Sequence, residues 1–263
     1  MRIMTSNIWG YYFGNPPEER IDAIETTFRK YNPDILGIQE LCPGWFKSGL
    51  IERLSDEYTF VGAFTGNYSP LLFKTEEFDL IEQGWIKYIY ELDLPEIYDD
   101  ISKSVTWAVL EEKKSGKKIG VCNTHLWWKP GDRHEDIREG NAKQLLSAMK
   151  SIKEKYGDIL IFAFGDFNSK ASGKALKYLN ANNVFSADTI AKVFSPNSSH
   201  HGDPIRGEDG KYHGSKTTND KSHSIDHIVT FKDEVEIDLH KVVEDQEILD
   251  ATDHSPVYID FEF

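Results

Sequence analysis

Residues 159–164 are six consecutive apolar side chains, ended at once by Gly165-Asp166-Phe167-Asn168. A run that short and that uniformly apolar fits a strand buried on both faces, so the fold needs layers above and below it. Strand-like and helix-like segments alternate along the rest of the chain. Residues 2–8 read as a strand, and 18–30 as a helix with Ile21, Ile24 and Phe28 on one face. After the Pro33-Asp34 break, residues 35–39 read as a short apolar strand. A helix is expected over 45–54, with shorter strands near Phe60, over 71–73 and over 78–86. Residues 105–112 and 118–124 read as a hairpin turning at Ser115-Gly116. The longest helical stretch is 133–155, where Ile137, Leu145, Met149 and Ile152 form an apolar stripe. A short helix near 173–179 and strands over 225–231, 235–242 and 257–261 complete the reading. Hairpins interrupting strand–helix–strand pieces favour a four-layered α/β/β/α sandwich, two mixed sheets flanked by helices, over a doubly wound parallel sheet. No repeat or linker divides the chain, so one domain spanning 1–263 is expected.

Composition narrows the partners. Forty-four acidic against 30 basic side chains leave a formal charge of −14. That balance argues against a broad basic surface for nucleic acid, although a local track remains compatible with it. The 39% apolar content excludes a disordered chain. No apolar run has the length of a membrane span. The N-terminus enters a strand pattern without the apolar core of a signal peptide. Cys42 and Cys122 both sit in apolar surroundings, so buried reduced thiols and a cytoplasmic, monomeric protein are expected.

The polar residues that close the apolar segments are narrow in type. Asn7 ends the first strand, Glu40 the second, and His125 the second strand of the hairpin. Asp166 and Asn168 follow residues 159–164, Asp226 opens a late strand, and Asp253-His254 precedes the last. Taken singly, each reads as a solvated turn former. Strand ends on one rim of a sandwich converge, however. Carboxylates, amides and imidazoles gathered there suit chemistry around an oxygen-ligated Mg²⁺ or Mn²⁺.

Six short motifs carry a resemblance. Thr5-Ser6-Asn7-Ile8, Ile38-Gln39-Glu40, Asn123-Thr124-His125-Leu126, Gly165-Asp166-Phe167-Asn168, Ser224-Ile225-Asp226 and Asp253-His254-Ser255-Pro256 resemble the successive motifs of the endonuclease/exonuclease/phosphatase superfamily. They keep its order across residues 5–256. The resemblance implies a divalent-metal-dependent phosphoester hydrolase. It places Glu40 as principal Mg²⁺ or Mn²⁺ ligand beside Asn7, with Asp253 completing the metal or water shell. Asp166 would orient or deprotonate the attacking water, and Asn168 would hold the phosphate or the nucleophile. His125 and His254 would bracket the scissile phosphate, with Asp226 orienting His254. Where abasic-site endonucleases of this superfamily read Asn-x-Asp-Gly, this chain has Asn7-Ile8-Trp9-Gly10, and it keeps the His125 they lack. The fuller signature of inositol 5-phosphatases after Asp166-Phe167-Asn168 is not recognisable. The chain therefore looks closer to the phosphatase, sphingomyelinase and deoxyribonuclease branches.

Four further residues are candidates for binding substrate. Tyr68 lies where some relatives place a substrate-side tyrosine. Trp127, beside Trp128, could stack a sugar or base. Lys129, near Arg133 and His134, suits a phosphate. His213 lies in the long polar stretch 195–224, with His200, His201 and Arg206. A zinc site at His200-His201 is not supported by any paired ligand spacing. Strand alternation turns His227 away from the face that Asp226 uses. Residues 91–100 read as a solvent-facing acidic loop. The leading expectation is an enzyme for a small phosphorylated substrate such as a sugar phosphate. A nuclease or an enzyme of nucleic-acid ends, and a silent binding module of the same fold, are the alternatives.

Overall fold

The computed structural model describes the chain except residues 12–13, 63–67, 91–101, 158, 217–222 and 233, so the 91–100 loop lies outside the described residues. The first half contributes β1 (Arg2–Asn7), α1 (Ile21–Tyr31), β2 (Ile35–Gln39), α2 (Pro43–Ser48), α3 (Leu50–Leu54), β3 (Tyr58–Val61), β4 (Leu71–Lys74) and β5 (Phe78–Lys87). Next come β6 (Ser104–Glu112), β7 (Lys118–His125), α4 (Asp132–Tyr156), β8 (Leu160–Asp166), α5 (Lys174–Ala181), β9 (Val184–Ser186), α6 (Ala187–Ile190) and β10 (Val193–Phe194). The chain closes with β11 (Ile205–Arg206), β12 (Tyr212–His213), β13 (Asp226–Phe231), β14 (Ile237–Val242), α7 (Gln246–Ala251) and β15 (Val257–Phe261).

Two large mixed sheets stack face to face. One has the order β10-β14-β15-β1-β2-β4-β3, the other β5-β6-β7-β8-β13-β9. The core between them joins Ile3, Ile35 and Ile259 of the first to Val121, Phe162, Phe164 and Ile228 of the second. The outer face of the first sheet buries Met4, Leu36 and Ile38 under Ile24 and Phe28 of α1, Trp45 of α2 and Leu50 of α3. The outer face of the second buries Val109, Ile161, Ala163 and Val229 under Leu145 and Met149 of α4 and Leu176 of α5. β8 shows why the apolar run reads as it does. Phe162 and Phe164 enter the inter-sheet core, while Ile161 and Ala163 face the helices. Cys42 and Cys122 are buried and unbridged. No helix among the described residues is long and apolar enough to cross a membrane.

The helix expected over 45–54 is broken in two, because Gly49 takes a left-handed φ of 85° that ends α2 and begins α3. The helix expected from residue 18 begins at Ile21, after a 3-10 turn over Pro17–Glu19. The long polar stretch holds the β11–β12 hairpin, whose two-residue strands are too short to leave a periodic signature.

What matters for function is the rim. β1 and β2 run parallel with Asn7 opposite Gln39. β7 and β8 run parallel with His125 opposite Asp166, and β13 starts antiparallel with Asp226 opposite Asp166. The chemistry-bearing residues of both sheets therefore finish at one end. Beneath them Asn123 ties the sheets together. Its Nδ2 donates to the Ile38 and Pro70 carbonyls at 2.8 and 2.7 Å, and its Oδ1 accepts from Gln39 Nε2 at 2.6 Å. Gly37 makes room for this pin, since a Cβ there would lie 2.7 Å from the Asn123 amide.

Candidate active site

Glu40 is the residue just past β2, and it sits at φ 64°. Trp9 and Asn168, just past β1 and β8, also take positive φ, 55° and 46°. Such conformations are uncommon outside glycine and concentrate where a backbone is bent to aim a group. Here the bends turn each strand end over the rim. The Glu40 carboxylate accepts from the Gly10 amide at 2.6 Å and from Asn7 Nδ2 at 3.2 Å. Asn7 Nδ2 also donates to Asp166 Oδ2 at 3.0 Å, while its Oδ1 accepts from the Trp9 amide. Asn7 thus spaces the Glu40 and Asp166 carboxylates, one from each sheet. The Asn168 amide donates to Asp166 Oδ1 at 2.7 Å, and Asn168 Nδ2 to the Leu126 carbonyl.

The opposite side is an acid–imidazole pair. His254 Nδ1 lies 2.7 Å from Asp226 Oδ2, which also accepts from Ser199 Oγ at 2.6 Å. That bond leaves His254 Nε2 facing the pocket, 3.9 Å from Asp166 and 4.0 Å from Asp253. Burial alone would lower the His254 imidazole, but the Asp226 and Asp253 carboxylates outweigh it and hold it well above its ordinary value. The surrounding carboxylates therefore favour the protonated imidazole. Burial alone would likewise raise the Asp166 and Glu40 carboxyls. His125 and Lys103 reverse that for both, with His254 helping at Asp166 and Gly10 and Asn7 at Glu40, so both carboxyls lie below their usual range.

A pocket of about 560 Å³ opens over this set. Its floor is Glu40, His125, Asp166, Asn168, Asp253 and His254, and its walls include Trp9, Tyr68, Ser102, Lys103, Trp128, His200, Asp203 and Ile225. The structure thus gathers Glu40, His125, Asp166, Asn168, Asp253, His254 and Tyr68 at one cavity, with Asn7 and Asp226 directly behind them.

Three expected substrate contacts fall elsewhere. Trp127 is fully buried, with Nε1 donating to His134 Nδ1 at 2.9 Å, so it supports the wall from behind. The neighbouring Trp128, 48% exposed, is the tryptophan that lines the pocket. Lys129 is not among the lining residues, its ammonium lying 5.8 and 5.9 Å from the Trp127 and Trp128 rings. His213 is exposed on the β11–β12 hairpin and bonds Asp209 at 3.0 Å. His227 points away, as alternation implies, and bonds the Ser169 carbonyl. Sequence reasoning missed Lys103. It is 4% exposed, and its ammonium meets His125 Nε2 at 2.6 Å. No motif marks it, because it lies one residue before β6. In the sequence His200 stands out only as part of a polar loop. It reaches the site by bridging to His254, with ring centroids 4.7 Å apart.

The profile of the endonuclease/exonuclease/phosphatase family matches residues 4–254. The chain belongs to that family. Its members are phosphoester hydrolases that generally use divalent metals. Among curated proteins, a probable CCR4-Not complex 3'-5'-exoribonuclease subunit from Enterocytozoon bieneusi is 27% identical over 186 residues, covering 62% of this chain and 38% of that protein. The chain spans little more than a third of the length of the curated relatives it matches. Among solved structures, a family protein from Bacteroides vulgatus superposes with a TM-score of 0.78 at 21% identity, covering 99% of this chain and 98% of that one. A mannosyl-6-phosphatase from Bacteroides thetaiotaomicron gives 0.77 at 16% identity, with both chains covered completely. At such identities the likeness establishes the fold.

The rim suits a cation of the kind the family's members generally use. Burial lifts the Asp253 carboxyl to about 7, with Glu40 and Asp203 adding to the rise against His254, and its Oδ1 is buried without a partner. A buried carboxyl with an unused oxygen among the described residues has bonding capacity left for a hard cation. The ligand atoms of His200, Asp253 and His254, and those of Asp166, Asp226 and His254, lie close enough to hold an ion. His254 Nδ1 is committed to Asp226, which favours the carboxylates as the donors. Asn7 turns its amide N–H toward Glu40 and Asp166, so in this arrangement it offers them a donor in place of a ligand oxygen.

Proposed function

We propose that the chain is a phosphatase of the family, dependent on Mg²⁺ or Mn²⁺ and acting on a small phosphorylated molecule such as a sugar phosphate. The observation that carries this is the pocket itself. An open-mouthed, tryptophan- and tyrosine-walled pocket ends on imidazole and ammonium groups that face buried carboxylates. Cationic groups at the bottom of a pocket suit one phosphate, and aromatic walls suit the C–H face of a sugar. Glu40 and Asp253, with Asn7 beside them, would hold the ion, which supplies charge neutralisation at the phosphate when bound. Asp166, ionised and fixed by Asn7 and the Asn168 amide, orients the attacking water on the far side of the phosphorus. Asn168 holds the phosphate or that water. His125 and Lys103 bind the equatorial oxygens. His254, whose protonated form Asp226 favours, stabilises the negative charge that develops as the ester bond breaks. Tyr68 and Trp128 contact the group that leaves.

A second reading, hydrolysis at a nucleic-acid end, draws on the exoribonuclease relative and on the half-exposed Trp128, which could stack a base. Hydrolysis of sugar phosphates, simple phosphodiesters and single-stranded RNA and DNA, with Mg²⁺, Mn²⁺ or chelator, tests both. Metal-dependent release of phosphate from sugar phosphates supports the first. Turnover confined to nucleic acid overturns it.

A further inference from the structure

We propose that Arg20 is a positioning residue that sets the two opposing walls of the metal-side pocket, the Trp9–Gly10 turn and the approach to Asp253-His254, from one buried guanidinium. Arg20 lies just before α1 and is 1% exposed. Among the described residues it makes no ion pair; its partners are backbone carbonyls from three separate segments. Nη1 donates to Ile8 O at 3.0 Å and Ala251 O at 2.8 Å. Nη2 donates to Trp9 O at 2.7 Å and Asn15 O at 3.0 Å. The guanidinium lies against two indoles, 4.9 Å from the Trp9 ring centre and 4.8 Å from that of Trp45. A buried cation with no directly paired carboxylate, Asp253 and Glu40 acting on it only through space, is costly, and packing alone does not offset that cost.

The carbonyls show what the guanidinium joins. Ile8 and Trp9 belong to the turn that leaves β1. In that turn the Trp9 amide donates to Asn7, the Gly10 amide donates to Glu40 Oε2, and the Trp9 ring walls the pocket. Trp9 holds its positive φ while its carbonyl accepts from both Arg20 and Trp45 Nε1, the latter at 3.2 Å. Ala251 ends α7, two residues before Asp253. The planar fork therefore joins the turn that orients Glu40 to the segment that delivers Asp253 and His254. A lysine ammonium cannot copy this arrangement, because its donors are not planar and its charge is a compact point.

The inference rests on Glu40 and Asp253 being the ion's ligands, as proposed above, and its readout needs no substrate. Mn²⁺ binding to the purified chain is measured by calorimetry, alongside the melting temperature, for wild type, Arg20→Lys, Arg20→Gln and a control, Leu179→Ala, in the core under α5. Arg20→Lys and Arg20→Gln are expected to weaken Mn²⁺ binding by about 10-fold or more, in the range typical of groups that orient metal ligands. Leu179→Ala is expected to lower the melting temperature and leave Mn²⁺ affinity within about twofold. If the Arg20 variants do not fold, Trp45→Phe keeps an aromatic ring beside the guanidinium and removes the N–H that is the second donor to Trp9 O, at the cost of some buried volume. It is expected to shift Mn²⁺ affinity in the same direction by a few fold. Affinity that merely follows the melting temperature in all variants, or is unchanged in Arg20→Lys or Trp45→Phe, overturns the proposal, as does a wild type that binds no Mn²⁺. A chain that binds Mn²⁺ but hydrolyses none of the small esters would fail the proposed function and leave this inference standing.

Discussion

The two ends of the sandwich both carry a cavity, and they differ in kind. At the end away from the strand-end motifs a cleft of about 820 Å³, larger than the candidate active site, is lined by Lys117, Lys118, Lys192, Glu234, Glu236, Asp238 and Glu262. Its charges are solvated and matched in ordinary ion pairs, Lys192 with Glu236 at 3.0 Å and with Asp238 at 2.8 Å. At the rim the charges are fewer and buried. They are held by amides and imidazoles, and two carboxylate oxygens, on Asp226 and Asp253, have no partner. Exposed pairs contribute little free energy and direct nothing. Buried, incompletely satisfied groups are costly unless a ligand completes them. Cavity size therefore favours the far end, whereas burial with unfilled bonding capacity favours the rim, the end the proposed function uses.

The difference can be broken by substitution. Glu40→Gln should remove metal-dependent turnover to below detection while circular dichroism and melting stay near wild type, because the change deletes the charge a hard divalent ion requires. Next in size, Asp226→Asn and His254→Ala should each lower kcat on the order of 10²- to 10³-fold. The double variant should fall little further, since both break one charged imidazole. The pH profile sharpens this. Asp226 holds His254 above its ordinary value, so the imidazolium is lost only when pH rises through that elevated value. Removing the carboxylate lowers it, and the alkaline limb of activity in Asp226→Asn should move to lower pH. An unmoved limb would detach Asp226 from His254. Lys103→Met should raise KM for a phosphate ester by roughly 10- to 100-fold, the range of a lost charge-assisted hydrogen bond, with a smaller change in kcat. Smallest of all, Lys192→Met at the far cleft should leave activity unchanged and stability within about 0.5 kcal/mol. A large loss there would end the contrast between the two ends.

The same contrast explains what was legible beforehand. Residues 159–164, the α4 stripe and the strand-end polar residues announced the sandwich and the rim, because burial on a sheet imposes a period that a sequence displays. Asn7, Glu40, His125, Asp166, Asp226 and Asp253-His254 stand in motifs at strand ends, where topology dictates their convergence. The pocket walls follow no period. Trp127 and Trp128 are indistinguishable as letters, and only the path of the chain after β7 buries one and presents the other. Lys103 and His200 reach the site through tertiary neighbours, Lys103 beside His125 and His200 by bridging to His254. Arg20 looks like one more surface charge at the start of an amphipathic helix. Its burial comes from carbonyls contributed by residues as distant as Ala251.

The central claim, that a buried rim with a divalent ion serves one phosphate on a small molecule, is tested most directly by specificity. The measurement is kcat/KM for a sugar phosphate and for duplex DNA with saturating Mg²⁺, each across a salt series. A protein that neutralises several phosphates loses affinity steeply with salt, by a log–log slope of about 0.9 for each phosphate contact, whereas a single buried phosphate depends on it weakly. A chain of net charge −14 should repel a polyanion. The sugar phosphate is therefore expected to be preferred, with a shallow slope. Preference for DNA with a steep slope would contradict it and assign the rim to a nuclease.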